Sequence, residues 1–201
     1  QALQAKDAAR VFSDIASDDP RRVAFMFAGG GTQHPNMGRD LYRHEPVFHD
    51  VVDACLTHCE TQLNCKLRDV LFPSSGDEAV AAKQLERPSL ALPALLTIQV
   101  AQARLLMSWG IQPAAMIGHS MGEYTAAHLA GVFTLEEALT LVELRGRLFE
   151  TLAEGAMLSV PLSETELQPF MSPALSVSVI NAPKMTVVGG PVAAIEALQT
   201  Q

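Results

Sequence analysis

Positive charge is scarce in this 201-residue chain: 14 Lys and Arg stand against 22 Asp and Glu, a net charge of −8. That balance excludes general nucleic-acid binding, and no basic run suggests an anionic membrane surface. Charged residues of both signs reach only 18%, while apolar residues make up 48%, so a well-buried core is expected. No charged segment precedes an apolar run at the N-terminus, so no signal peptide is read there. The most apolar long segment, LALPALLTIQVAQARLLMSWG, is interrupted by Pro93, Gln99, Gln102 and Arg104. That composition suits a buried helix better than a membrane span. Internal repeats and low-complexity tracts are absent from the sequence.

Cysteine is sparse too, with three residues at Cys55, Cys59 and Cys65. Helical spacing puts the first two on one face, but a metal site would need more ligands than His58 nearby can add. Reduced thiols in a cytoplasmic protein, with no metal, are the expectation. The chain opens on Gln1 rather than Met, which reads as a piece of something longer.

Periodicity and turn signals divide what is there. DAARVFSDIASDD reads as a short helix and an acidic turn. RRVAFMFAGGG reads as a buried strand, Val23 to Phe27, running into a glycine loop. A mixed helical stretch from about Asp40 to Val70 follows, then a loop at LFPSSGDEA. Residues from about Leu92 to Ser108 form a long buried helix, and GIQP turns the chain into a short strand at AAMIG. MGEYTAAHLAG is a helix stopped by Gly131. Thr134 caps the next one, with Glu137 three residues on completing a capping box. Strand, tight turn and helix in this order belong to the carboxyl edge of a parallel α/β sheet. After Gly155 the pattern becomes β-α-β-β-α, one strand short of a ferredoxin-like unit.

The strand-to-helix turn carries a chemical signal. Gly118-His119-Ser120-Met121-Gly122 fits the G-x-S-x-G nucleophile elbow. Such a turn forces the nucleophile into a strained backbone conformation, and the flanking glycines relieve the crowding. The hydroxyl then projects at the start of a helix, where unpaired N–H groups favour developing negative charge. A serine that merely caps the helix is the plainer alternative. His119 is not read as the base for Ser120, because adjacent side chains on an elbow diverge; packing or hydrogen bonding near the site suits it better.

Arg145 is the second signal. On a helical wheel of residues 135–150, Ala138, Leu141, Val142, Leu148 and Phe149 share one arc, with Arg145 in its middle. A guanidinium on a core-facing stripe needs an anionic partner or a wet cavity. Two readings stay open: a buried ion pair within the chain, or a clamp for a substrate carboxylate through two parallel hydrogen bonds. The third signal, FMFAGGGTQ, ends a strand in three glycines. A phosphate-binding loop would add Lys-Ser/Thr and open directly on a helix. Neither is present, so the loop is read as bare backbone approaching a reacting group.

These features, in this order, resemble the acyltransferase domains of modular type I polyketide synthases. They are more distantly similar to the malonyl-CoA:acyl carrier protein transacylases of fatty acid synthesis. The resemblance rests on FMFAGGGTQHPNMGRDLY, on the block from ALPALLTIQVAQ through RGRLFE, and on VSVINAPKMTVVGG, which together cover most of residues 23 to 195. It implies an α/β-hydrolase-like core with a parallel sheet over 23–154 and an inserted ferredoxin-like α+β subdomain, incomplete, over 155–201. Residues 1–22 are similar to the end of a ketosynthase–acyltransferase linker.

The resemblance also implies the reaction. Ser120 takes an acyl group from a CoA thioester as an ester, and the phosphopantetheine thiol of an acyl carrier protein then removes it. The oxyanion donors map to the backbone N–H groups of Met121 and Gly30. Arg145 matches the arginine that pairs with the free carboxylate of a malonyl-type unit. His119, Leu92 and Asn181 match positions that line the site. No bound cofactor is implied; the partners are acyl-CoA, a carrier protein and a neighbouring ketosynthase domain.

Three departures from the family pattern stand out. Gly30 replaces a frequent Gln, and Leu92 replaces another. The family's catalytic His follows the ferredoxin-like unit, beyond Gln201, and none of His34, His44, His49, His58 and His128 matches it. A chain without that base is expected to turn over poorly, because losing a general base costs a factor of about 10²–10⁴. Two alternatives follow: a hydrolase of the same fold that clears acyl groups from carrier proteins, and an inactive structural piece. Arg145 argues against the first.

Overall fold

The computed structural model describes residues 22–201 together with Gln4, Ala9 and Val11. The short helix and the linker expected before residue 22 otherwise lie outside the described residues. The chain divides into two compact units, Gln1–Glu150 and Thr151–Gln201, against a change of texture at 154/155 in the sequence.

In the first unit, strand β1 (Val23–Phe27) pairs in parallel with β2 (Pro113–Gly118), in a register that sets Ala24 opposite Ala115 and Phe27 opposite Gly118. A parallel pair needs a long crossover, and here it carries helices α1 (Arg39–His44), α2 (Pro46–Gln62), α3 (Leu67–Leu71), α4 (Glu78–Gln84) and α5 (Pro88–Ser108). After β2 come α6 (Gly122–Leu129) and α7 (Leu135–Glu150). Phe48, Val52 and Leu56 of α2, Leu96 and Val100 of α5, and Leu139 and Val142 of α7 meet in one buried cluster.

Helix α5 is long and apolar enough to cross a membrane, yet 72% of its apolar window is buried inside the protein. It begins at Pro88, earlier than the Leu92 read from the sequence. The reason is tertiary. Pro88 suits the first helical position, and the free N–H of Ser89 donates to Glu150 Oε1 of α7 at 3.0 Å. Arg87 Nη2 holds the other oxygen of that carboxylate, also at 3.0 Å. Burial pushes the Glu150 pKa up, but the bonds from Ser89 and Arg87 outweigh it and the net shift is downward. Pro93 lacks the N–H that would have reached the Ser89 carbonyl, and Cys65 Sγ lies 4.0 Å from that oxygen instead.

Helix α7 starts with the expected capping box: Glu137 N–H donates to Thr134 Oγ1 at 3.2 Å, and Thr134 N–H to Glu137 Oε2 at 2.8 Å. Its buried face corrects the helical wheel. Ala138, Leu139, Val142, Glu143 and Gly146 are buried, while Leu141, Leu148 and Phe149 are 43%, 56% and 43% exposed. At 100° per residue the buried arc is turned roughly a quarter turn from the apolar one. Gly146 lies at its centre, packed on the Pro88–Ser89 backbone, and a hydrophobicity wheel gives a glycine no weight. Glu143 enters the buried arc because Arg147, one turn on, pairs with it at 2.8 Å.

The three cysteines are buried free thiols. Burial pushes the Cys55 thiol up to about 12. The Cys59 thiol is raised as well, first by its hydrogen bond to Cys65 and then by burial. His58 faces Thr140 of α7, Nε2 to Oγ1 at 3.3 Å.

The second unit holds β3 (Gly155–Val160), α8 (Glu164–Leu167) with a 3₁₀ turn at Gln168–Phe170, β4 (Ser176–Ala182), β5 (Met185–Pro191) and α9 (Val192–Gln199). Its sheet is antiparallel in the order β3-β5-β4. The second strand in sequence is therefore on the outside and the third in the centre, as the split β-α-β of a ferredoxin-like unit requires. Leu167, Val188, Ile195 and Leu198 form its core. Asn181 lies near the end of β4 in this unit.

Candidate active site

The turn between β2 and α6 is built by its glycines. A β-carbon on Gly118 would collide with the Glu123 amide and the Gly122 carbonyl carbon, and one on Gly122 with the Phe27 carbonyl. Small residues at both positions let the first turn of α6 fold back against the ends of β1 and β2. Between them Ser120 has φ +51°. The other non-glycine residues with positive φ among those described are Asn36 and Asn64, a residue type that tolerates this region. A serine there is strained, and the surroundings hold it: His119 N–H donates to Phe27 O at 2.9 Å, Gly122 N–H to His119 O at 2.9 Å, and Glu123 N–H to Ser120 O at 3.2 Å. Strain held this way at an exposed hydroxyl is the signature of an elbow rather than of a plain cap.

Ser120 opens onto a cavity of about 350 Å³ lined by Glu123, Tyr124, Ala127, Phe133 and Arg145. Arg145 is half-buried and is not on the core-facing stripe. Its guanidinium lies over two aromatic faces, 5.4 Å from the Tyr124 ring centroid and 4.9 Å from that of Phe149. Two rings hold the planar group in place without neutralising it. The ion pairs among the described residues join α7's other arginine, Arg147, to Glu143 and do not include Arg145. Among the described residues the buried-ion-pair reading of Arg145 finds no partner, and Arg145 lines the cavity that holds Ser120.

The glycine loop approaches the elbow from β1. A β-carbon on Gly29 would stand 2.8 Å from His119 Nδ1 and 3.4 Å from Ser120 Cβ, whereas one on Gly30 would meet nothing within 4 Å. The His119 ring thus packs on the loop side and is not among the residues lining the cavity. Gly31 N–H donates to Gln33 Oε1 at 2.8 Å, and Gln33 Nε2 to Leu85 O at 3.1 Å, which anchors the far end of the loop. The backbone N–H groups of Gly30 and Met121 donate to no backbone acceptor among the described residues. Met121 itself is buried at the first turn of α6, so its amide is presented by a rigid element.

Leu92, matched by resemblance to a site-lining position, is 7% exposed and packs in the main core cluster. It is not among the residues lining the cavity. Asn181 belongs to the second unit. No histidine lines the cavity among the described residues. Tyr124 and Phe133 carry no signal in the sequence reading, and Phe149 figures there only as part of the apolar arc; Tyr124 follows the elbow by one helical turn, a spacing that points to it. A larger hollow, about 730 Å³, runs between β1 and α5 past Phe25, Phe27, Leu95 and Leu106. Among the described residues no charged side chain lines it.

Known proteins resemble this chain in sequence and fold. The acyl transferase domain family profile matches residues 24–201. Over 172 residues the chain is 40% identical to the spectinabilin polyketide synthase system protein NorB of Streptomyces orinoci, covering 84% of this chain and 8% of that protein. The solved acyl transferase domain of ZmaA superposes with a TM-score of 0.85 at 39% identity, over 94% of this chain and 44% of that one. The acyl transferase domain of SpnD in complex with 2-(pent-4-yn-1-yl)malonyl does so with a TM-score of 0.81 at 37% identity, over 99% and 46%. The chain thus spans less than half of each of these relatives.

Proposed function

This chain belongs to the acyl transferase domain family, and from that premise we propose that it moves a malonyl-type unit from CoA to the phosphopantetheine thiol of an acyl carrier protein during polyketide assembly in the cytoplasm. One observation carries the reading: Ser120, on its strained backbone, and Arg145, which has no ion-pair partner among the described residues, line the same cavity.

Chemically, the Ser120 oxygen attacks the thioester carbon, the C–S bond breaks, and the CoA thiol leaves with a proton. The acyl group is held as a Ser120 ester until the carrier thiol attacks the same carbon and releases the serine. The N–H groups of Met121 and Gly30 meet the oxyanion in each half-reaction. Arg145 receives the free carboxylate through two parallel hydrogen bonds. Its aromatic neighbours fix the fork, so little rotamer freedom is lost on binding. The base that takes the serine proton is the histidine that the family resemblance places after residue 201. CoA and the carrier arm act as substrates, and no resident cofactor takes part. A ketosynthase domain of the same multienzyme is the proposed neighbour.

Support for a malonyl-type substrate comes from Arg145 and from the substituted malonyl group bound by the SpnD domain. The test is to incubate the full natural chain with malonyl-CoA and to look for a malonyl mass increase on the Ser120 peptide. An adduct absent from Ser120→Ala is expected; no adduct, or an equal one in Ser120→Ala, overturns the proposal. A clearing hydrolase would instead release acetyl and malonyl groups from carrier thioesters to water at similar rates.

A further inference from the structure

Gln99 lies in the middle of α5, whose neighbouring residues Leu96, Ile98 and Val100 are buried in the core. Its carboxamide bridges two segments that are far apart in the chain. Nε2 donates to the carbonyl of Ala28 at 2.8 Å, and Oε1 accepts from the hydroxyl of Thr125 at 2.8 Å. Ala28 opens the glycine loop that carries Gly30, and Thr125 is a fully buried residue of α6, one turn after Met121. The orientation of the amide is dictated chemically. A backbone carbonyl can only accept, so the NH₂ group must face Ala28, and the Thr125 hydroxyl is then left to donate to the oxygen.

The bridge stands where the sheet runs out. The last pair of the β1–β2 ladder is Phe27 with Gly118, so Ala28 is the first residue whose carbonyl has no strand partner. Three glycines follow, and none has a side chain to hold the next peptide planes. Gln33 anchors the far end of the loop; Gln99 anchors the near end, and the same carboxamide holds the nucleophile's helix.

We propose that Gln99 is a positioning residue for acyl transfer: by clamping Ala28 to Thr125 it sets the spacing between the Gly30 and Met121 amides that receive the oxyanion. The proposal rests on the acyl-transfer reading of Ser120. Gln99 is not among the residues lining the Ser120 cavity and acts through the two backbone donors. Removing an oxyanion donor altogether costs about 10²–10³ in kcat. A donor that is displaced rather than removed is expected to cost roughly tenfold.

Three variants test it in the full natural chain. Gln99→Met fills the same space without either hydrogen bond. Thr125→Val removes only the donor to Oε1. Gln99→Glu keeps the acceptor for Thr125 but turns a second oxygen toward the Ala28 carbonyl. The expected result is a roughly tenfold slower acylation of Ser120 by malonyl-CoA in Gln99→Met and Gln99→Glu, with KM and the preference for malonyl over acetyl little changed. Thr125→Val should show a smaller loss. In Gln99→Glu the rate relative to wild type should rise as the pH falls and the introduced carboxyl regains a proton to donate; Gln99→Met should show no such recovery. Amide hydrogen exchange over residues 28–33 should quicken in both.

Acylation at the wild-type rate in both variants overturns the proposal. So does a loss confined to KM, or one matched by a fall in melting temperature and indifferent to pH in Gln99→Glu. If the wild-type chain forms no ester on Ser120, the acyl-transfer reading fails by itself. Hydrogen exchange then decides the clamp: unchanged protection of 28–33 in Gln99→Met overturns it, and faster exchange upholds it.

Discussion

A β-carbon on Gly146 would stand 2.5 Å from the carbonyl oxygen of Pro88. This contact presses α7 onto the start of α5 and turns the helix so that Arg145, the preceding residue, faces the Ser120 cavity. Gly146→Ala should therefore act on stability and specificity together. Overpacking against rigid backbone costs about 1–3 kcal/mol, so melting should fall by several degrees in a domain of this size. Malonyl selectivity should weaken in the same protein, as seen in the malonyl-to-acetyl ratio of kcat/KM.

Arg145→Ala should remove a charge-assisted, two-point contact worth about 1.5–3 kcal/mol. Loading of malonyl-CoA should drop by roughly ten- to a hundredfold in kcat/KM, with acetyl-CoA unchanged or improved. Arg145→Lys should recover only part, since an ammonium cannot make the parallel pair. Competition between the two thioesters for Ser120, read by mass spectrometry, checks both.

Ser120 holds φ at +51°, which disfavours any residue with a β-carbon by roughly 1–2 kcal/mol. Ser120→Ala and Ser120→Gly should both be inactive. The glycine variant should melt higher than the alanine one, by a few degrees at most, because glycine's extra unfolded-state entropy offsets part of the relief. Calorimetry on the pair separates backbone strain from the loss of the hydroxyl.

Cys55 supplies a pH dependence at the alkaline end. Its thiol is pushed from 9.0 up to about 12 by burial. The folded state therefore keeps a proton that the unfolded chain loses above pH 9, and stability falls as pH rises from 9 toward 12. Cys55→Ala should show a shallower decline than the parent over that range in denaturant melts. In the native protein near pH 8, Cys55 should resist iodoacetamide until unfolding exposes it.

Much of the site was legible before any tertiary information. The elbow is carried by five consecutive residues, and β1, the partner of the strand that leads into it, runs from Val23 to Phe27 as the sequence predicts. The capping box at Thr134 and Glu137 is local chemistry and formed as read. What failed was the orientation of α7. The wheel counted Leu141, Leu148 and Phe149 as core, yet the helix buries Gly146 and Glu143. Closeness of approach and a salt-bridged carboxylate outweighed side-chain hydropathy, and neither is visible in a hydrophobic period. In the sequence Gln99 stands only as a polar interruption of an apolar helix; its two partners, Ala28 and Thr125, lie on other segments.

The sequence by itself determined the Gly118–Gly122 turn and the strained serine within it, because glycine spacing and backbone sterics act within a few residues. It also determined the α/β order of the first unit and the β-α-β-β-α order of the second. Only the tertiary structure decided which way Arg145 faces, that two aromatic rings accompany it, and that one carboxamide ties the glycine loop to α6. Those outcomes depend on how closely α5, α6 and α7 approach one another. That approach is set by contacts such as Gly146 on Pro88, whose partners are joined only when the chain has folded.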